Sequence, residues 1–335
     1  FTQELMFEQE LPIGGQRRAR ITAAEQRISE VEAEFLALRE SQLHELRQLY
    51  VQLLSSQHRL ERIESVMRDL RNSEEVVAGR VEEGVISRFD LLRIQVELAD
   101  VETQLRDQRS SRDDTAARIG LLLGESQWSP WVVGELMPLG LQADADTLWA
   151  HAQDSLPALQ AARRSAERAL SEVVLAEREA LPVPVFGVGT MRTRHPYSRG
   201  LMLSLSVDIP IFGRRDSDVG EARAESSLAQ ARAGALQQRA RGDLLRAVRR
   251  LESQQQTLAF FQTSVFDQLD ELREMSEQAY LEGQLSIVEL LDAFSTLLDA
   301  QLDHADLLEA VMLAELEVLA ASGMLEEHLE SAAES

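Results

Sequence analysis

Cysteine is absent from the 335 residues, which excludes disulfides and thiolate metal sites. No stretch of about 18 consecutive apolar residues occurs either, so no segment can cross a bilayer as a helix. Proline is scarce: eight residues, at 12, 130, 138, 157, 182, 184, 196 and 210, leave the tracts 13–129 and 211–335 free to be mostly helix. Aromatics make up only 5%. Basic residues number 34 against 57 acidic ones, and the net charge of −23 speaks against nucleic acid, whose phosphates want a basic surface. Such a charge suits a soluble surface or a lumen that attracts cations.

What the chain has in abundance is Leu, Ala, Glu, Gln and Arg, the usage of long helices. It also says the same thing twice. Glu10-Leu11-Pro12-Ile13-Gly14-Gly15-Gln16-Arg17 returns as Asp208-Ile209-Pro210-Ile211-Phe212-Gly213-Arg214-Arg215, an offset of 198. Gly84-Val85-Ile86-Ser87-Arg88-Phe89-Asp90-Leu91-Leu92 returns as Gly283-Gln284-Leu285-Ser286-Ile287-Val288-Glu289-Leu290-Leu291, an offset of 199. One residue of net insertion separates the copies. The period is far longer than a solenoid unit. The chain therefore divides into a first repeat over 1–142, a second over 143–325 and a polar tail over 326–335, with each copy passing from a strand through a Pro/Gly turn into a long helix.

Residues 1–12 alternate, with Phe1, Leu5, Phe7 and Leu11 against Thr2, Glu4, Met6, Glu8 and Glu10, the period of a two-faced strand. From Gln16 to Ala78 there is neither Gly nor Pro, enough for a helix of roughly 90–100 Å. Leu46, Leu49, Leu53, Leu60, Ile63, Met67 and Leu70 give it a heptad seam interrupted only at Ser56. Gly79 and Gly84 bracket a turn, and a second helix is predicted from Ser87 to Leu123. Residues 124–142, with Trp128, Pro130, Trp131 and Pro138, read as an irregular connector. Helix is predicted again from Asp144 to Ala180, then strands over 183–194 and 201–211 joined by a polar loop. Leu201, Leu203, Leu205, Val207 and Ile209 alternate with Met202, Ser204, Ser206 and Asp208. A long helix over 215–281 and a last one from beyond Gly283 to Ala321 complete the chain.

One hairpin and one lone strand are not stable in water by themselves, and their edges need partners. A closed barrel with the Leu/Val/Ile face in lipid and the Ser/Asp/Glu face in water solves both problems. The competing reading is a soluble coiled-coil scaffold whose β-hairpin rests on helices or docks a partner. The chain begins at Phe1, and the second copy has a helix and strand before its Leu201 strand that the first copy lacks. An upstream strand pairing with residues 1–12 is expected on that ground.

Tyr280-Leu281-Glu282-Gly283 followed by Val288-Glu289-Leu290-Leu291-Asp292-Ala293 resembles the second-repeat tip of the TolC-like outer-membrane efflux proteins. Arg80 to Leu92 resembles the first-repeat tip, and both Pro-Ile strand exits fit, so the resemblance covers nearly the whole chain in matching order. It implies a mainly α fold with a small β part: duplicated strand–long-helix halves that build, as a homotrimer, a 12-stranded outer-membrane β-barrel continued by a periplasmic α-helical barrel. It further implies the exit duct of a tripartite efflux pump or type I secretion system of a Gram-negative bacterium, working with a periplasmic adaptor protein and an inner-membrane pump. Pro12-Ile13-Gly14-Gly15-Gln16-Arg17 resembles the heavy-metal efflux branch.

By the same resemblance, Glu289 and Asp292 form acidic rings at the aperture, and Tyr280 with Asp90 latches the closed state through a phenol-to-carboxylate hydrogen bond. Gly84, Ser87, Gly283 and Ser286 mark the tip that docks the adaptor, and Leu201, Leu203, Leu205 and Val207 face outer-membrane lipid. The bland readings are solvated helix residues and plain turn glycines. Family members can carry Arg two residues after the tip glycine; Leu285 stands there instead, so a second latch at that position is not carried over. No cofactor, metal site or nucleic acid is implied. The six histidines are scattered without ligand spacing, Ser87 and Ser286 have no His partner nearby, and nothing resembles an enzyme centre.

Overall fold

The computed structural model describes residues 3–125, 127, 129–192, 199–208 and 214–325. Strand β1, Gln3–Glu10, leads into helix α1, Gln16–Glu82, and a turn into helix α2, Arg88–Leu122. After the connector come α3, Ala145–Ser155, α4, Pro157–Glu179, and strands β2, Pro184–Arg192, and β3, Gly200–Val207. Helix α5, Arg214–Ser264, a single 3₁₀ turn at Phe266–Gln268, α6, Leu269–Leu281, and α7, Ile287–Ser322, follow. The fold is mainly helical with a small sheet. Ile209, the strand exits Pro210 and Gly213, the loop residues 193–198, Trp128 and the 326–335 tail lie outside the described residues.

Three expected boundaries move, each for a physical reason. The helix expected over 144–180 is two helices, because Pro157 takes the first position of α4 and Leu156 before it is extended at φ −65°, ψ 112°. Proline lacks the N–H that would continue α3, and its ring disfavours helical angles in the residue before it. Helix α1 runs on through Gly79, so the turn starts at Glu83 and only Gly84 of the two expected glycines has positive φ.

The helix expected over 215–281 breaks at Val265, φ −128°, ψ −58°. The inserted residue of the second repeat lies there. Leu53, Gln57 and Leu60 of α1 match Leu251, Gln255 and Leu258 of α5 at an offset of 198, whereas Leu70 matches Leu269 at 199. One extra residue in a continuous helix turns everything after it by about 100°. The break restores the phase, and Leu269 is buried as Leu70 is.

Compact packing divides the chain differently from the repeat. One unit is Phe1–Arg39 with Gln153–Arg241, the other Glu40–Ala152 with Gly242–Ser335. In the first, the sheet order is β1-β2-β3, antiparallel throughout. Its buried apolar helical positions are mostly alanine (Ala19, Ala23, Ala33, Ala169), which lets backbones approach closely. Arg168 of α4 ties to Glu30 of α1 at 2.8 Å and to Glu172 at 2.5 Å. Gly15, at φ 85°, turns the chain from β1 into α1, and the first side chain of that helix, Gln16, is fully buried.

The second unit holds the larger apolar core. Leu60, Ile63, Met67, Leu70 and Val77 of α1 join Ile94, Val101 and Leu105 of α2 and Leu290, Leu291, Phe294 and Leu297 of α7. Leu244, Val248 and Leu251 of α5 meet Leu308, Val311 and Val318 of α7 in another cluster. Helix α7 is the hub, contributing buried residues to both clusters from Leu290 to Val318.

Candidate functional site: twin helix turns and a two-faced sheet

The two copies of the tip motif fold alike. Gly84 and Gly283 close their helices at φ 74° and 75°, the left-handed region that glycine enters without a Cβ clash. Ser87 and Ser286 then cap the next helices. The Ser87 backbone N–H donates to Asp90 Oδ2 at 3.1 Å, and the Phe89 N–H donates to Ser87 Oγ at 3.1 Å. The Ser286 backbone N–H donates to Glu289 Oε2 at 2.8 Å, its hydroxyl donates to the same oxygen at 2.8 Å, and the Glu289 N–H returns to Ser286 Oγ at 3.4 Å. Both are capping boxes, which satisfy otherwise orphaned helix-start donors. Leu285 and Ile86 pack against the core beneath.

Asp90 and Glu289 are therefore held by their own helix starts. The Ser286 backbone N–H, then its hydroxyl, hold the Glu289 carboxyl below the usual range although it is exposed. Asp292, one turn on, is exposed and has no hydrogen bond or ion pair among the described residues. The hydrogen bond expected between Tyr280 and Asp90 is not made, because the Asp90 carboxylate is turned to its capping box. The Tyr280 ring is buried, with the Arg80 guanidinium 5.8 Å from its centroid, and Arg80 donates to the Leu281 carbonyl at 2.9 Å. Burial pushes the Tyr280 phenol up, Asp90 adds to that, and Arg80 opposes it.

Sequence reasoning missed how the connector is held. Gln57 donates to the Val132 carbonyl at 2.8 Å and accepts from the Val132 N–H at 3.0 Å, so its amide pairs like a strand. Gln255, its equivalent at an offset of 198, donates to the Leu141 carbonyl at 3.1 Å. Glu315, 1% exposed, accepts from the Leu139 and Leu141 N–H groups at 2.8 and 3.1 Å. A glutamine repeated at one offset inside an apolar seam was the signal for the first two. For Glu315 the sequence carried no distinct signal, since Glu317 stands two residues on in the same apolar run.

The sheet presents two faces. Antiparallel register aligns Leu5–Thr190–Leu201, Phe7–Val188–Leu203 and Gln9–Phe186–Leu205 as rows on one side. Leu201, Leu203 and Leu205 are 72%, 67% and 72% exposed, Val207 44%, and Phe7 66%. The other side carries Glu8–Gly187–Ser204 and Glu10–Val185–Ser206. It is crowded at the glycines: a Cβ on Gly187 would lie 2.2 Å from Ser204 Oγ, and one on Gly189 2.7 Å from the Leu5 carbonyl oxygen. Within this sheet β1 and β3 each leave one edge unpaired. Among the described residues no helix is long and apolar enough to cross a membrane, and no cluster of His, Asp or Glu could hold a metal ion.

The family model described as outer membrane efflux protein matches residues 1–125 and 148–324. No curated protein sequence matches the chain. Solved structures do match. The outer membrane protein VceC of Vibrio cholerae is similar at TM-score 0.76 and 19% identity, over 96% of this chain and 79% of that one. CusC is similar at TM-score 0.79 and 17% identity, over 96% and 77%. The MtrE outer membrane channel of Neisseria gonorrhoeae is similar at 0.72 and 15%, over 97% and 80%. At such identities the likeness is one of fold.

Proposed function

The chain belongs to the outer membrane efflux protein family, and from that premise we propose that it is the outer-membrane exit duct of a tripartite pump, a passive channel rather than an enzyme. One observation carries the reading: an exposed, row-aligned apolar sheet face backed by a polar face, on a sheet with two unpaired edges. Water penalises that apolar face and bilayer hydrocarbon does not, while open edges are tolerated in lipid only when closed into a barrel. Copies of the chain close it by pairing edge to edge; the 12-stranded homotrimer of the family resemblance takes four strands from each copy, of which β1, β2 and β3 are three. CusC is described as forming a transmembrane channel, and MtrE was solved in an open state, which fits a duct that opens and shuts.

The twin turns are the proposed periplasmic end, with Gly84, Ser87, Gly283 and Ser286 presented to a periplasmic adaptor that links the duct to an inner-membrane pump. A gating ring rests chiefly on Asp292, whose carboxylate is exposed, and secondarily on Glu289, which its cap restrains. Tyr280 and Asp90 remain a proposed latch only if Asp90 leaves Ser87. A heavy-metal cargo rests on the Pro12-to-Arg17 resemblance alone.

The test is reconstitution of the purified chain into planar bilayers under asymmetric KCl. The account expects cation-selective pores whose reversal potential falls toward zero in Asp292→Asn, with a smaller shift in Glu289→Gln. Absence of pores contradicts the duct, and an unchanged reversal potential in both variants removes the carboxylates from the aperture.

A further inference from the structure

The sheet end remote from helices α1, α4 and α5 differs in charge from the rest of the molecule. From Ala180 to Val207 there is no acidic residue, although the chain as a whole has a net charge of −23, and Arg192, Arg194 and Arg199 fall within that stretch. The chain has no lysine, so every basic group is a guanidinium, the side chain whose planar fork matches phosphate oxygens. Arg192 and Arg199 are exposed.

Their register gives the charge a direction. Arg192 pairs with Gln3 and lies two residues beyond Thr190, hence on the apolar face of β2. Arg199 immediately precedes β3 and lines one recess with Arg192 at this end of the sheet. Passing along that face from the helix end, the rows read Gln9–Phe186–Leu205, Phe7–Val188–Leu203, Leu5–Thr190–Leu201, and then Gln3–Arg192 beside Arg199. A shallow recess of about 600 Å³ opens at this rim, lined by Gln3, Glu4, Thr190, Arg192, Arg199 and Leu201. Glu4, the one acid there, pairs with Met191 and belongs to the opposite face by alternation.

An apolar band ending in a guanidinium pair is complementary to a lipid whose acyl chains end in phosphate. We propose that Arg192 and Arg199 bind the phosphates of phosphorylated glycolipid in the outer leaflet, fixing the depth of the barrel in the membrane. The inference rests on the membrane-channel reading above and adds the lipid class that the rim selects. At the helix end of the same face the last strand rows, Gln9–Phe186–Leu205 and Pro184–Val207, hold no arginine.

The experiment uses the full chain and three vesicle types: phosphatidylcholine alone, with one-tenth monophosphoryl lipid A, and with one-tenth diphosphoryl lipid A. Protein recovered by flotation and pores per unit protein are both read. Wild type should favour diphosphoryl over plain vesicles by about twenty-five-fold, the product of roughly five-fold for each arginine at an anionic surface, with the monophosphoryl vesicles intermediate. Arg192→Gln/Arg199→Gln should lose that preference while still forming pores in plain vesicles. Arg192→Lys/Arg199→Lys should keep most of it. A wild type indifferent to lipid phosphate, or a double Gln variant that retains the preference, overturns the inference and leaves the channel intact. A wild type that forms no pores in any vesicle overturns the channel reading and this inference with it.

Discussion

The turn from α1 to α2 and the turn from α6 to α7 share a glycine at positive φ and a serine-carboxylate capping box, yet the helices beyond them lead different lives. Helix α2 buries Ile94, Val101 and Leu105 on one stripe and leaves Phe89, Leu92 and Val96 exposed. Helix α7 is buried along most of its length, in contact with clusters drawn from α1, α2, α5 and α6. At equivalent positions the first copy has Leu105 and Ala116 where the second has His304 and Glu315, an offset of 199 in each case. The copies thus differ in which core positions are polar: His304 and Glu315 are polar where the first copy is apolar, while Thr115 of the first copy stands opposite Ala314 of the second. His304 stacks on Phe266 of the 3₁₀ turn at 3.9 Å and Glu315 fastens the connector, so both changes fall where the second copy departs from the first.

The sharpest way to break this comparison is to cut equivalent leucines. Leu290 is fully buried and Leu91 half-buried. Leu290→Ala should therefore cost about 2–5 kcal/mol by lost transfer and cavity terms, and Leu91→Ala about half as much or less. Urea unfolding followed by helical circular dichroism measures both, and equal losses would mean that the copies do not differ in packing. The caps should behave alike instead: Ser87→Ala and Ser286→Ala should each cost about 1 kcal/mol, and a several-fold disparity would show that one turn is held by something other than its box.

The smallest expected effect is acid sensitivity. Burial lowers His304, and nearby His58 and Arg62 lower it further. Burial also lowers His58 and His44. A histidine with a depressed folded value favours the folded state above its unfolded value and withdraws that stability as pH falls toward and through the folded one. Urea midpoints should drop between pH 7.5 and pH 5, and His304→Leu, which restores the residue type of the first copy, should flatten the drop in part. A midpoint that rises on acidification would reverse the sign.

Element type and order were legible because the periods are long and clean, above all Leu46 to Leu70 and Leu201 to Val207. The breaks were not. Pro157 was visible but its effect on Leu156 is a local backbone matter, and the interruption at Val265 shows only when core leucines of the two copies are aligned residue by residue. At the turns, the glycines and serines could be placed from sequence, whereas the partner of Asp90 could not. Ser87 three residues away and Tyr280 across the fold compete for one carboxylate, and the local bond wins because it needs no further chain ordering. Gln57, Gln255 and Glu315 act on irregular backbone, whose course periodicity does not describe.

The central claim is that the two faces of the sheet meet lipid and water respectively, and paired substitutions on neighbouring residues of β3 test it most directly. Leu205 lies on the apolar face between Leu203 and Val207; Ser206 lies on the polar face beside Val185, away from the close approach at Ser204 and Gly187. Arginine on the lipid face near the midplane costs roughly 2–4 kcal/mol per copy, while a lumen position already sees water. Heat-modifiable trimers recovered from outer membranes should be lost for Leu205→Arg and retained near wild-type yield for Ser206→Arg. Equal yields for the two, or loss confined to Ser206→Arg, would contradict the assignment of the faces and the membrane barrel built on it.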